Sequence, residues 1–384
     1  MRALLLSLSL PLLCLAGASS PDHRAQFRET TIRVGNGPKW ISVGDVNHDR
    51  NADLIVANAD SGTVTVLLGD GKGQLHAAAG SPVAAGHLPN DIAITDMNGD
   101  GNPDLVIADH QSPFITILLG DGKGGFRPAP GSPVDVHSHP HPHGVVAGDF
   151  NGDGRPDVVT DSWGTNQIEL LLGDGKGGMH TPGRYFATGR RPYERLRSAD
   201  FNGDGLPDIV TTNLDDGTVT ILLADGKGGF RNASGSPFPA GAKPWQVAID
   251  DVNGDGKFDL LIIPYERDIP DAAQNAVTVL MGDGKGAFRA MPGSPLPLRG
   301  CHRPDGVTAG DLRGDGRHDI VVACAESRNL TIFEPDGDGR FISSSQPFKG
   351  GWGAVAFADL SNNHRGELIT ANNEDGTITI FIPD

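Results

Sequence analysis

The chain is poor in aromatic residues (6%), in basic side chains (31 against 48 acidic) and in cysteine (three among 384 residues). A formal charge of −17 excludes the basic footprint that nucleic-acid binding requires. Past residue 20 no segment stays apolar for the 18 or so residues that cross a bilayer as a helix, so membrane insertion is not expected. Helical periodicity is missing as well, and each of the 54 glycines would cost about 1 kcal/mol in a helix interior. An acidic, turn-rich β-protein is what the composition leaves.

Residues 1–20 are expected to be a signal peptide, leaving 21–384 as a single domain. The leader combines Arg2, the apolar run Ala3 to Leu15 and a small-residue exit at Ala16-Gly17-Ala18. The expected location is secreted or periplasmic. Removing the leader leaves Cys301 and Cys324, an even count that favours a disulfide in an oxidising compartment.

One unit is written seven times. Asp45, Asp96, Asp149, Asp200, Asp251, Asp311 and Asp359 each open a nine-residue acidic loop. Around every loop the same order recurs: an apolar run before it, a second after it, a third ending at a turn such as Gly120-Asp121-Gly122-Lys123-Gly124, and a fourth starting as at Phe126. Four short β-rich runs per repeat read as four antiparallel strands, and repeats of about 50 residues describe propeller blades. The expected fold is an all-β, seven-bladed β-propeller. The seventh repeat ends on its third strand, and Phe27 to Val34 supplies the missing fourth, closing the ring. The fourth strand is read as continuous, for example from Phe126 to Val136.

The loops carry side-chain oxygens at positions 1, 3, 5 and 9. Complete sets are Asp96/Asn98/Asp100/Asp104, Asp149/Asn151/Asp153/Asp157, Asp200/Asn202/Asp204/Asp208 and Asp251/Asn253/Asp255/Asp259. Blade one keeps Asp45/Asn47/Asp49/Asp53 but has Arg50 where the others have glycine. Hard oxygens with three carboxylates suit Ca²⁺, whereas Zn²⁺ would call for His or Cys. Four or five structural calcium ions are expected. In blade six Arg313 replaces the asparagine, and blade seven offers only Asp359, Ser361, Asn363 and Glu367.

These loops, with the Leu-Leu-Gly-Asp-Gly-Lys-Gly-Gly-Phe run of Leu118 to Phe126, resemble the FG-GAP/VCBS repeat family. That family includes the calcium-loop propellers of integrin α-chains. The resemblance implies calcium loops on one face and ligand contacts on the other, without fixing a function.

A ligand site is sought where the repeats disagree. The innermost strands begin at Lys39-Trp40, Asn90-Asp91, His143-Gly144, Glu194-Arg195, Trp245-Gln246, Asp305-Gly306 and Gly353-Ala354, at the face opposite the acidic loops. Arg195 and Arg197 should share one face of their strand, with Asp161 as the expected anionic partner. Asp161, Trp163, Glu194, Arg195, Arg197, Tyr265, Glu266, Arg267, His302, Arg303 and Asp305 form the expected ligand surface. A salt-bridge network plugging the channel is the competing reading.

His137, His139, His141 and His143 alternate with Ser138, Pro140 and Pro142. This is either a tract in which two or three imidazoles share a metal or a proline-stiffened solvated loop. Arg313-Gly314-Asp315 spells an adhesion tripeptide, but inside a decayed acidic loop. No nucleophile elbow, phosphate loop or dinucleotide motif occurs. The sequence therefore points to a monomeric extracellular binding module for a glycan or protein. An extracellular polysaccharide lyase or hydrolase and a cell-surface scaffold are the alternatives.

Overall fold

The protein is described by a computed structural model covering residues 27–265, 275–336, 340–348 and 354–384, with Glu194 described only through its backbone. The described residues form seven antiparallel sheets and no helix, so none is long and apolar enough to cross a membrane. Blade three shows the pattern: Val145–Gly148, Asp157–Ser162, Gln167–Gly173 and Met179–Ala187 pair in chain order. The first strands of successive blades touch one another around the ring, and that of blade seven meets that of blade one. Closure is made by Phe27–Arg33, which pairs antiparallel with Thr377–Pro383 from Phe27 opposite Pro383 to Arg33 opposite Thr377.

The second strand of every blade is buried along its whole length, for example Asp53–Asn58, Asp104–Asp109 and Glu367–Asn372. Such a strand is covered on both faces by neighbouring blades, which is why its apolar residues run consecutively. The core is accordingly a set of clusters between blades. One joins Ile55, Ala57, Val64 and Val66 of blade one to Ile92, Leu105 and Ile107 of blade two.

The fourth strand departs from expectation in blades one, two, four and five. In blade two it splits into Phe126–Pro128 and Val134–Asp135, both pairing with Phe114–Gly120. A Ser-Pro pair stands at each break. Proline cannot donate to the ladder, and the serine hydroxyl takes over as acceptor. Ile117 N–H donates to Ser132 Oγ at 2.9 Å, as Val66, Ile221 and Val279 do to Ser81, Ser236 and Ser294.

Candidate functional site

The acidic loops gather at one end of the propeller, here the lower end. In blade two Asp96 accepts N–H groups from Gly99, Asp100 and Gly101, Asn98 Oδ1 accepts from Asp100, and Asp100 accepts from Asn102. Asp104 is buried and takes the N–H groups of Met97 and Gly120 at 2.9 and 2.7 Å, tying the loop to the third strand. Burial, reinforced by the charges of Asp100 and Asp96, pushes the Asp104 carboxyl up to about 6. Asp157, Asp208 and Asp259 are raised to about 6 likewise. Asp157 Oδ2 and Asp259 Oδ2 are buried without a hydrogen-bond partner.

Positions 3 and 5 are joined to each other or to position 9 by hydrogen bonds. In blade one Asn47 Oδ1 accepts the Asp49 N–H, and Asn47 Nδ2 donates to Asp49 Oδ2, both at 3.0 Å. Asn151 and Asp153 of blade three are joined in the same way, at 2.8 and 3.2 Å. In blade four Asn202 Oδ1 accepts the Asp204 N–H at 2.9 Å, while its Nδ2 donates to Asp208 Oδ2 at 3.3 Å. Asp204 Oδ1 is held by the Leu206 N–H at 3.0 Å. Among the described residues no loop brings three carboxylates into one metal-sized cluster. An asparagine N–H set against a carboxylate satisfies that oxygen. Asp49, Asp100, Asp153, Asp204 and Asp255 are all exposed, so packing does not fix their side chains. An all-oxygen donor set with a buried carboxylate at position 9, one of whose oxygens is unpartnered in blades three and five, fits a hard divalent cation.

Blade one keeps this conformation despite Arg50. Its φ of 67° lies in the left-handed region that glycine fills in blades two to six, and its N–H donates to Asp45 Oδ2 at 2.8 Å. Blade six has closed on itself. The Arg313 guanidinium lies 3.0 Å from Asp319 and 3.5 Å from Asp315, a fixed cation among the loop carboxylates. The adhesion tripeptide therefore does not present its arginine outward.

At the upper end the expected pairing of Arg195 and Arg197 with Asp161 does not occur. Both arginines turn to Asp91 of blade two, at 3.7 and 3.2 Å, and stand over the Trp40 ring, 4.2 and 4.7 Å from its centroid. Arg195 is 3% exposed and also donates to the carbonyls of Asn90 and His143. It is a plug and offers a ligand little surface. Arg197, half-buried, lines a central cavity of about 370 Å³ with Trp40, Asp91 and Ser198. The partner differs because Asp161 is already used: its Oδ1 accepts N–H from His143 and Gly144, and its Oδ2 faces His143 Nδ1 at 3.3 Å.

Beside the plug runs a chain of rings across blades three to five. Centroid separations are 4.8 Å from His141 to His143, 5.6 Å to Trp163, 5.3 Å to Tyr193, 5.1 Å to Trp245 and 4.3 Å to Tyr265. The last pair is stacked. The Arg191 guanidinium sits over Tyr193 and Trp163, 5.1 and 5.9 Å from their centroids. In blade six Arg303 pairs with Asp305 at 3.4 Å, and His302 is exposed. Glu266 and Arg267 lie outside the described residues, and the side chain of Glu194 is not described. Cys301 and Cys324 form a disulfide within blade six.

The FG-GAP-like repeat pattern matches residues 45–107, 96–160, 200–262 and 311–370, together more than half of the chain. The chain belongs to the FG-GAP-like repeat family. No curated protein matches the sequence. Among solved structures, BBS1N in complex with ARL6DN superposes on this FG-GAP-like propeller with a TM-score of 0.61 at 12% identity, covering 94% of this chain and 98% of that one. Virginiamycin B lyase from Staphylococcus aureus matches at 0.58 and 14%, covering 94% and 100%. The periplasmic gluconolactonase of Pseudomonas aeruginosa matches at 0.58 and 18%, covering 81% and 85%. At such identities the likeness is one of fold alone.

Of the upper-face residues expected from sequence, the structure joins Trp163 and Tyr265 in the ring chain of this FG-GAP-like propeller. It sets Asp161 beneath His143 and leaves Arg303 and Asp305 paired to each other. Tyr193, Arg191 and His110 were not singled out. Tyr193 had a signal, as one of only three tyrosines, set beside the unusual arginine strand.

Proposed function

We propose that this chain is a calcium-stabilised propeller that works outside the cytoplasm as a recognition module, holding a glycan or protein ligand on the upper face of blades three to five. The observation that carries the reading is the unbroken ring chain from His141 to Tyr265 with Arg191 over its middle. Aromatic faces with a polar edge suit sugar rings and protein side chains, and the guanidinium favours a ligand carrying carboxylate or sulfate. The five loops with complete donor sets would each hold one Ca²⁺ once positions 3 and 5 turn inward. The ion's +2 charge then offsets most of the charge of three carboxylates and so stabilises the folded ring. The leader-like start and the disulfide support an oxidising compartment. BBS1N crystallised with a protein partner, which is in keeping with protein docking on this architecture.

A second reading, an extracellular polysaccharide lyase or hydrolase, is favoured by the His143–Asp161 pair and by an architecture shared with a lyase and a lactonase. A glycan array with a depolymerisation readout, run with and without EDTA, separates the two. Binding without turnover is expected, weakened at least about tenfold by Trp163→Ala or Tyr193→Ala, with thermal scans checking that each variant is folded. Turnover would replace the binding-only reading, and silence on glycan and protein arrays alike would leave a scaffold.

A further inference from the structure

We propose that His110, His141 and His143 form a site for one late first-row divalent metal ion, zinc foremost, on the upper face between blades two and three. The site lies at the opposite end from the acidic loops; it shares His141 and His143 with the ring chain but requires neither calcium nor the proposed ligand to bind.

Geometry is the first support. His110 follows the second strand of blade two, while His141 and His143 lie in the segment leading into blade three. One ligand nitrogen from each lies within 4.8 Å of the other two. Around tetrahedral zinc, with Zn–N of about 2.0–2.1 Å, imidazole nitrogens stand roughly 3.3 Å apart. The remaining distance is within reach of side-chain rotation at His110 and His141, which are half-buried, with no movement of the strands.

The state of His143 is the second support. Its side chain is 1% exposed, and Nδ1 faces Asp161 Oδ2 at 3.3 Å. The N–H groups of His143 and Gly144 hold the other carboxylate oxygen at 2.8 and 2.7 Å, so the carboxylate is fixed. A carboxylate at Nδ1 keeps the proton there and turns the Nε2 lone pair outward, the arrangement that metal-ligating histidines show. Nε2 is buried and has no hydrogen-bond partner. A buried acceptor left unmet is unfavourable, and ligation removes that cost.

Chemistry selects the ion. Imidazoles favour zinc, copper, nickel and cobalt over calcium, so the two ends of the molecule would sort metals by donor type. Three protein ligands leave a fourth position for water or an incoming group. Trp163 and Tyr193 flank His143, with centroids 5.6 and 4.4 Å from its own.

The test titrates the full chain with ZnCl2 by calorimetry, with saturating CaCl2 present to occupy the acidic loops, and repeats it with CoCl2 followed by visible absorption. One Zn²⁺ per chain is expected, together with a cobalt spectrum of four-coordinate type. His110→Ala should weaken binding at least about 100-fold, and Asp161→Asn about 10–100-fold through His143. His137→Ala and His139→Ala, both in exposed positions, should bind as the unaltered protein does. His110→Ala changes a half-buried residue, and its melting temperature checks its fold. No zinc beyond the calcium loops, unchanged binding by folded His110→Ala, or equal loss in His137→Ala would each overturn the assignment.

Discussion

Arg313 occupies the third position of the blade-six loop, where blades one to five carry asparagine. Its contacts with Asp315 and Asp319 put a covalently attached positive charge among the loop carboxylates, at the place proposed for a free ion in blades one to five. Asp319 is nevertheless pushed up to about 7, because burial outweighs the guanidinium's pull. Arg313→Asn removes the tethered charge and restores the donor, so the variant should bind one more Ca²⁺ per chain by elemental analysis of dialysed protein. An unchanged calcium content would contradict the equivalence of the loops. Reading single residues from the repeat worked along a blade and failed across the channel. Spacing put the loop oxygens in one turn, but not the way Asn47, Asn151 and Asn202 point their amide nitrogens at carboxylates. Which side chain meets Arg195 depends on how seven sheets are spaced around an axis, so the choice of Asp91 over Asp161 was not legible. Nor was His110, which joins the histidine tract only because blades two and three are neighbours.

At the level of strands, legibility was high. Four β-rich runs between acidic loops and glycine turns gave the blade content, and the unpaired seventh repeat gave the closing strand. The broken fourth strands were missed because Phe126 to Val136 carries β-favouring residues at both ends. The interruption is a ladder effect: Ser132 supplies the acceptor for Ile117 while Pro133 offers no donor. Blade six adds a covalent tie between Cys301, before its first strand, and Cys324, the last residue of its second. A loop with a separation of 23 residues predicts that Cys301→Ala/Cys324→Ala loses about 3 kcal/mol. Urea unfolding checks this, and an unmoved midpoint would show that the bridge adds nothing to stability.

Over the whole molecule the buried loop carboxylates contribute to the response to pH, together with Asp109, which burial pushes up to about 7. Asp104, Asp157, Asp208 and Asp259 rise from an ordinary 3.8 to about 6 on folding, chiefly through burial. Between those values the folded chain holds more protons than the unfolded one. Their contribution is therefore fully present below about pH 4 and lost as pH rises through 6. In EDTA the melting temperature should fall by at least about 5 °C from pH 5 to pH 7. Saturating calcium, which binds the ionised form, should reverse the slope. Thermal scans in both media decide the matter: a melting temperature at pH 7 indifferent to calcium would remove the proposed ion role.

The pairing of Phe27–Arg33 with Thr377–Pro383 also orders events in time. During synthesis Phe27–Arg33 emerges early and waits, without its partner, for some 340 further residues to appear. Until then every partial chain is an open arc with a bare edge at each end. The final circle is thus a checkpoint on length, since a ribosome that stops early leaves a product that cannot latch. Such a product exposes unpaired strands to proteases and to its own copies.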